Sequence, residues 1–476
     1  MENKYNGYIK ELYDSPAIYI KEFENYHDDI YFWPKIVDKV KPINILEVGI
    51  GNGRLIGLLH DKVKEYDGID FSREIIEYCS REYDFSNVTL YNQDLKQGIK
   101  SQAKIPTIMY LNISTFCNLA CKYCFIESNP CSKQKYEKMK FDVAKIAVDK
   151  FLLELQKNEI TDSQIIIYGG EPLTNWDVVK EIVDYIKNEK KSKITITIIS
   201  NGTLLDKEVI KYLMDNHIGI GISIDGPKFI NDKNRIFRNG NESVYDKAME
   251  AINLLNEMDA NYCVSATVTP DVVENEKEVH DWLIDNNIKN VFWNLYHYSF
   301  KDDKWEEHYN KMTDFILNTH LILEENNIGD EKIQEQIEMF INQTFKFHSC
   351  GAVGVNQIIV KPNGDVCICQ GDSRSHQNVV GNIITDEIED IIKHPNNDIW
   401  LDMYTIDKEK CKYCPAISVC GGGCPLQSEV LFGKRNDIDE ASCIYYKKLL
   451  EWLIRQYYYV AIDKEEKGRM MHYDYS

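Results

Sequence analysis

Long apolar runs are missing. Nowhere in the 476 residues do about 18 apolar residues follow one another, the length a helix needs to span a bilayer, so no membrane partner is expected. The opening residues Met-Glu-Asn-Lys-Tyr-Asn lack the apolar stretch of a secretory signal, which leaves the cytoplasm as the expected location. Positive charge is short as well, with 55 Lys and Arg against 76 Asp and Glu and a net charge of −21. Binding a polyanion by counterion release needs clustered Lys and Arg, so no nucleic acid is expected, and solubility accounts for the acidic excess. Cysteine, by contrast, is plentiful: fourteen in a chain expected to stay reduced are metal ligands before they are disulfides. At this length two to four domains are expected.

Three of the cysteines form one tight group, Cys117-x3-Cys121-x2-Cys124, after the apolar run Ile108 to Ile113. Soft thiolates at this spacing suit an iron-sulfur cluster, yet a four-iron cluster usually takes four, so one iron is left open. A zinc knuckle is the rival reading. A second apolar run, Ile165 to Tyr168, leads into Gly169-Gly170-Glu171-Pro172, where the glycines let backbone approach a ligand and Pro172 fixes the exit direction. The cysteine loop, with Tyr123 before its last cysteine, resembles the signature of the radical S-adenosylmethionine (SAM) superfamily, and Gly169 to Pro172 matches that family's SAM motif. The resemblance implies a [4Fe-4S] cluster on Cys117, Cys121 and Cys124 whose open iron binds the amino and carboxylate groups of SAM. It also implies that backbone carbonyls and Glu171 receive the SAM ammonium, and that one electron cleaves SAM to a 5′-deoxyadenosyl radical that abstracts hydrogen.

Further apolar segments at 194 to 199, 218 to 224, 262 to 268 and 290 to 295 bring the strands to six. Helical periodicity separates them, at 143 to 155, 176 to 186, 209 to 214, 248 to 258 and 279 to 284. Alternating strands and helices pair in parallel, so the fold class is α/β with an open, partial (β/α)6 TIM-like barrel. Polar residues end its strands, where βα loops build active sites: Gly170 and Glu171, Ser200 and Asn201, Ser223 and Asp225, Thr267, then Asn294, Tyr296 and His297. Ser200, Asn201, Ser223 and Asp225 are candidates for the SAM ribose, its carboxylate or the substrate, and Asp225 is also a catalytic candidate; turn formation is their bland alternative. The block Ser223 to Pro227 with Asp232 to Arg235 resembles that of peptide-modifying radical SAM enzymes. Arg235 is expected either to grip the SAM carboxylate or to form an ion pair.

A second cysteine array follows: Cys350-x13-Gly364-x4-Cys369, then Cys411-x2-Cys414-x5-Cys420-x3-Cys424-x18-Cys443. It resembles the SPASM domain of peptide- and protein-modifying radical SAM enzymes, with a zinc ribbon as the alternative. The resemblance implies two auxiliary [4Fe-4S] clusters, one on Cys411, Cys414, Cys420 and Cys443, the other on Cys350, Cys369 and Cys424. The latter set lacks a fourth cysteine, since Asn342 to His348 contains none, and an open iron for a substrate thiolate is expected; Cys367 and His348 are rival ligands. Cys79, Cys131, Cys263 and Cys367 are expected to be core or surface residues.

In anaerobic sulfatase-maturating enzymes an aspartate base follows the Cys369 position. Gln370 stands here and cannot take a proton at neutral pH, while Asp372 is expected to reach the same space; both are catalytic candidates. The resemblance therefore implies a maturase of a ribosomally made precursor peptide that forms a thioether or carbon-carbon crosslink, fed by a flavodoxin- or ferredoxin-type electron donor in an anaerobic or reducing host. Formylglycine maturation, small-molecule dehydrogenation and a non-catalytic iron-sulfur scaffold are the alternatives.

The N-terminal hundred residues carry another glycine turn, Glu47-Val-Gly49-Ile-Gly51-Asn-Gly53, with Asp70 ending the next strand and Asp94 after a third. This is the arrangement in which a carboxylate meets ribose hydroxyls. It resembles the opening half of a class I SAM-dependent methyltransferase, a Rossmann-like half-domain without the later strands. It is expected to bind a second SAM through Glu47, Gly49, Gly51, Gly53 and Asp70, to recognise the substrate peptide, or only to pack. The expected domains are 1–104, this half-domain; 105–300, the barrel; 301–345, a helical linker; 346–447, the SPASM domain; and 448–476, a C-terminal helix and tail.

Overall fold

The computed structural model describes residues 28–462 except 71, 93–104, 125, 127–135, 190–193, 241, 297–303, 342–349, 373–377, 402, 404, 406, 407 and 413. Asp94, Cys131, His297 and His348 lie outside the described residues. The chain divides into two compact units, Met1–Ala103 and Lys104–Ser476.

In the first unit β1 (Asn44–Val48), β2 (Glu65–Asp70) and β3 (Val88–Asn92) pair in parallel in that order. Helices 28–40, 54–59 and 73–82 accompany them; Ile56, Leu59, Ile75 and Cys79 from the latter two share a core with Tyr66. Register places Ile45, Tyr66 and Val88 side by side on the face turned to that core. On the opposite face Leu46 stays 62% and Tyr91 41% exposed.

The second unit is built on a ten-stranded sheet in the order β10-β9-β8-β7-β6-β5-β4-β11-β12-β13. Strands β4 (Ile108–Ser114), β5 (Ser163–Gly169), β6 (Ile194–Ser200), β7 (Gly219–Ser223), β8 (Cys263–Val268) and β9 (Asn290–Leu295) are the six expected ones, all parallel. Helices fall between them as the periodicity predicts, for example Phe141–Lys157, Lys207–Asp215 and Val244–Glu257. Two of these start on a side-chain cap: Asp206 accepts from the Glu208 and Val209 N–H groups and Ser243 from Asp246 N–H. Along each strand one residue set, such as Ile196 and Ile198 or Val264 and Ala266, is buried in the helix-side core. The alternate set faces inward and is mostly polar, aromatic or glycine: Tyr110 and Asn112, Tyr168, Gly219 and Gly221, Ser265 and Thr267, Asn294.

The linker expected at 301–345 is helical, Trp305–Glu325 and Glu331–Ile341, but a two-residue strand, β10 (Gly329–Asp330), interrupts it and extends the sheet beside β9. The cysteine-rich segment is no separate layer. Its β11 (Gln357–Val360) pairs parallel with β4, and β12 (Asp365–Cys367) and β13 (Gly381–Asn382) continue antiparallel from it. The last helix among the described residues is Glu440–Ile462, which begins eight residues before the expected 448 and takes in Cys443 in its first turn.

Candidate active site

The cysteine loop leaves the end of β4 and is held from two sides. From β5, Gly170 N–H donates to the Ser114 carbonyl at 2.7 Å and Glu171 N–H to that of Phe116 at 2.9 Å. A Cβ on Gly170 would stand 2.5 Å from the Phe116 backbone, and one on Gly169, at φ +137°, 2.3 Å from the Ser114 oxygen. These glycines therefore admit the cysteine loop itself, where the sequence pointed to a ligand. From the other side Ala120 N–H bonds to Ile236, Lys122 N–H to Asn234 and Arg238 N–H to Asn118, and the Arg238 guanidinium donates to the Cys117 carbonyl at 2.7 Å. Nothing in the sequence marked residues 234–238 as this brace, because irregular backbone pairing leaves no periodic pattern.

Glu171 is buried and accepts from Leu173 N–H at 3.1 Å, Ser200 Oγ at 2.9 Å and Asn201 N–H at 2.8 Å. Burial pushes its carboxyl up to about 7, against the pull of those donors. Its carboxylate thus ties the end of β5 to the end of β6, a role beyond the expected meeting with an ammonium. Asn201 donates to Asn118 at 2.8 Å, stands 3.8 Å from Cys117 Sγ, and accepts from Thr203, so its amide braces the loop. Pro172 starts a short 3-10 turn behind it.

Asp225 is the hub on the far side. Wholly buried, it accepts the Tyr123 hydroxyl, both arms of Arg235 at 3.1 and 2.9 Å, and Thr267 N–H at 2.9 Å. The Arg235 guanidinium lies 5.5 Å from the centre of the Tyr123 ring. Two expectations change. The Arg235 fork is spent on Asp225, the ion-pair alternative, although the pair is buried instead of superficial. Asp225 takes four donors, an arrangement that positions the cysteine loop. Ser223 ends β7 on the inward face, half-buried.

Several of the expected ligand thiols act on one another electrostatically. Cys117 and Cys121 are pushed up to about 12 and about 11 by burial, and each lies within electrostatic reach of Cys124. Cys369 is raised well above the usual range by burial, with Asp372, Cys350 and Cys424 adding to the effect; Cys424 rises to about 12. Cys420 and Cys443, raised to about 12 and about 11 by burial, sense Cys411, and Cys443 also senses Cys414. Such thiols hold their protons until a metal displaces them. Cys411, Cys414 and Cys443 line a cavity of about 310 Å³ together with Trp305, Lys410 and Lys447. Among the described residues no three His, Cys, Asp or Glu side chains converge closely enough for a single metal ion. The donors in each group are thiols, the soft ligands that suit an iron-sulfur cluster.

Of the two rival ligands for the three-cysteine auxiliary group, only Cys367 lies among the described residues. Cys367 is fully buried with its Sγ directed at the Cys369 carbonyl, 3.6 Å away, and its charged neighbours are Lys361, Asp372, Arg435 and Asp365 instead of cluster cysteines. Asp372 is 1% exposed, gripped by Arg435 at 2.7 and 2.8 Å and bonded by Asn378, so its carboxylate is engaged in a buried ion pair. Gln370 keeps both side-chain amide atoms buried with no hydrogen-bond partner. Tyr110, Ile359 and Cys367 lie in register across β4, β11 and β12, so the inward face of the barrel continues across these strands to Cys367. Cys263 sits near Glu331, away from every group.

In the N-terminal unit Gly49, Gly51 and Gly53 all have positive φ, at 75°, 53° and 71°. Asp70, 2% exposed, accepts from Gly51 N–H at 3.2 Å and Ser72 N–H at 2.9 Å, and Glu47 accepts the Tyr66 hydroxyl at 2.6 Å. Asp70 thus closes the turn onto its own chain, and Glu47 is bonded across β1 and β2.

Residues 111–283 match the radical SAM superfamily, and residues 350–415 match the iron-sulfur cluster-binding domain called SPASM. The radical SAM cyclopropyl synthase TigE of Paramaledivibacter caminithermalis is 27% identical over 73% of this chain and 73% of its own length. A cysteine-type anaerobic sulfatase-maturating enzyme of Clostridium perfringens is 25% identical over 65% of this chain and 86% of its own. Among solved structures, native anSMEcpe with bound AdoMet superposes with a TM-score of 0.62 at 22% identity, covering 74% of this chain and 98% of that one. Streptococcus suis SuiB bound to S-adenosylmethionine gives 0.54 at 16%, covering 90% and 92%. The cofactors that go with these domains are SAM, one [4Fe-4S] cluster that binds it, and auxiliary iron-sulfur clusters. With its parallel barrel, its three-cysteine loop and its distal cysteine array, the chain belongs to the radical SAM superfamily as an enzyme carrying a SPASM domain.

Proposed function

We propose that this enzyme matures a ribosomally made precursor peptide, abstracting hydrogen from a residue's carbon to form a thioether or carbon-carbon crosslink. The observation that supports the reading is that Tyr110 on the barrel's inward face lies in register with Ile359 and Cys367 of the cysteine-rich segment and within electrostatic reach of Cys350. In this reading Cys117, Cys121 and Cys124 hold the SAM-binding cluster; Cys411, Cys414, Cys420 and Cys443 hold one auxiliary cluster; and Cys350, Cys369 and Cys424 hold the other. The fourth position of that last group is the place proposed for a substrate cysteine. Bound in the loop, the cluster and SAM supply a 5′-deoxyadenosyl radical. The chain's own residues orient and enclose: Asp225 and Arg235 fix Tyr123 beside Cys124, Glu171 fixes the β5 and β6 ends, and the inward Tyr110 and Tyr168 rings, edge to face at 5.9 Å, wall the chamber. SuiB has been solved with its precursor peptide and AlbA of Bacillus subtilis serves subtilosin biosynthesis, which supports a peptide as substrate.

Formylglycine maturation is the weaker reading, because Gln370 is no base and Asp372 is held by Arg435. No helix among the described residues is long and apolar enough to cross a membrane. A flavodoxin- or ferredoxin-type donor in the cytoplasm is proposed as the electron source. The N-terminal unit is proposed to recognise the peptide, since its own turn engages Asp70 and Tyr66 engages Glu47. Co-expression with a short precursor encoded beside the enzyme tests the function: mass spectrometry should show loss of two hydrogens and a crosslinked fragment. An unmodified peptide alongside abundant 5′-deoxyadenosine would reject peptide crosslinking.

A further inference from the structure

An unbroken series of rings connects the cysteine loop to the distant four-cysteine group. Tyr123, next to Cys124, meets Tyr296 edge to face with centroids 6.2 Å apart. Tyr296 meets His308 at 5.8 Å, and His308 meets Tyr309 at 6.1 Å. The Tyr309 hydroxyl also donates to the Tyr296 carbonyl at 2.8 Å, a direct link across the same gap. Tyr309 meets Trp305 at 6.5 Å, and Trp305 lines the cavity of Cys411, Cys414 and Cys443. Residues 305, 308 and 309 share one face of the first turn of helix Trp305–Glu325, so a single helix end supplies three of the five rings.

We infer that Tyr123, Tyr296, His308, Tyr309 and Trp305 form a one-electron relay between the SAM-binding cluster and the auxiliary cluster at Cys411, Cys414, Cys420 and Cys443; the inference rests on clusters being held where the proposed function puts them. Electron tunnelling weakens steeply with distance, and π-systems couple two redox centres better than the aliphatic groups that fill most of this core. Packing alone gives no reason for a ring series to end on iron-ligand groups at both ends. The step balances simply. A one-electron-reduced cluster at one end is oxidised, the cluster at the other end is reduced, and the electron enters first from a low-potential external donor of the flavodoxin or ferredoxin class. No bond is made or broken. The phenol protons stay in place, Tyr123 on Asp225 and Tyr309 on the Tyr296 carbonyl.

The test uses the full-length enzyme with all clusters loaded, photoreduced by about one electron per chain with a deazaflavin, and freeze-quench electron paramagnetic resonance to follow exchange between clusters. Tyr309→Leu and Trp305→Leu should each lose the fast phase of exchange with iron content and cluster signals unchanged, while Tyr309→Phe and Trp305→Phe should keep it. Wild-type exchange rates in the leucine variants would overturn the relay, as would equal loss in the phenylalanine variants. Should a leucine variant fail to load iron, His308→Leu is read by the same criteria. A wild-type protein lacking either cluster by Mössbauer spectroscopy would instead overturn the functional reading on which the relay stands.

Discussion

Two glycine turns in this chain look alike in sequence and differ in what they do. Gly49 to Gly53 and Gly169 to Pro172 each follow a parallel strand, and each has a carboxylate close by. In both, the missing side chains admit protein. A Cβ on Gly53 would lie 2.4 Å from the Tyr83 ring, and one on Gly170 would lie 2.5 Å from the Phe116 backbone. The partner decides the function. Tyr83 is an ordinary neighbour of the first unit's core, whereas Phe116 belongs to the loop that presents three thiols. A glycine motif reports close approach, and only the approached element says whether chemistry follows.

The sharpest break between the two turns is expected at the thiols. Cys124→Ala should abolish 5′-deoxyadenosine formation in the reduced protein, assayed by chromatography, while Gly53→Ala should leave it intact. Next comes the hub that positions the loop: Asp225→Ala leaves the buried Arg235 uncompensated, with a cost of about 3–5 kcal/mol in denaturant unfolding. Asp225→Asn should cost less and still loosen the loop, read as slower cluster loading. Glu171 gives a pH signature. Its carboxyl, raised from 4.5 to about 7 by burial, keeps its proton in the folded state while the unfolded chain loses it, so the stability it contributes is fully present below about pH 4.5 and lost by about pH 7. The difference is about 3 kcal/mol, and Glu171→Gln should flatten this part of the stability curve of the metal-free protein. Gly170→Ala should then cost about 1–3 kcal/mol and displace the loop, because the obstruction is backbone. Gly53→Ala meets a movable ring and should cost less. The smallest effect is expected at Asp70→Ala: calorimetry should count one SAM per chain before and after, and a count of two falling to one would erase the contrast between the turns.

The regular part of this architecture was legible in the sequence because it is written in apolar runs. Ile108 to Ile113 and Ile194 to Ile199 name their strands to within a residue. The two iron-sulfur domains were legible because their cysteines lie close in sequence or at family spacing. What escaped depends on contacts distant in sequence. Nothing near residue 357 announces that β11 will pair with β4 some 250 positions earlier, and nothing near Asp372 announces Arg435. For Arg235 the sequence left two roles open, the SAM carboxylate or an ion pair, and did not name Asp225 as the partner. A single sequence shows that a carboxylate and a guanidinium sit near a site, and their buried geometry shows that they neutralise one another.

The pairing of β11 with β4 also bears on how the chain tolerates being cut. A partial barrel has two open edges, and an unpaired edge of apolar strand invites pairing with another molecule. At one edge β9 is shielded by the two-residue β10, and at the other β4 is covered only by the cysteine-rich segment. Removing residues 346–476 would therefore uncover Ile108 to Leu111 as a hydrogen-bonding edge, and a truncated barrel should self-associate even where its own cysteine loop still loads iron. The auxiliary region thus doubles as the barrel's edge guard.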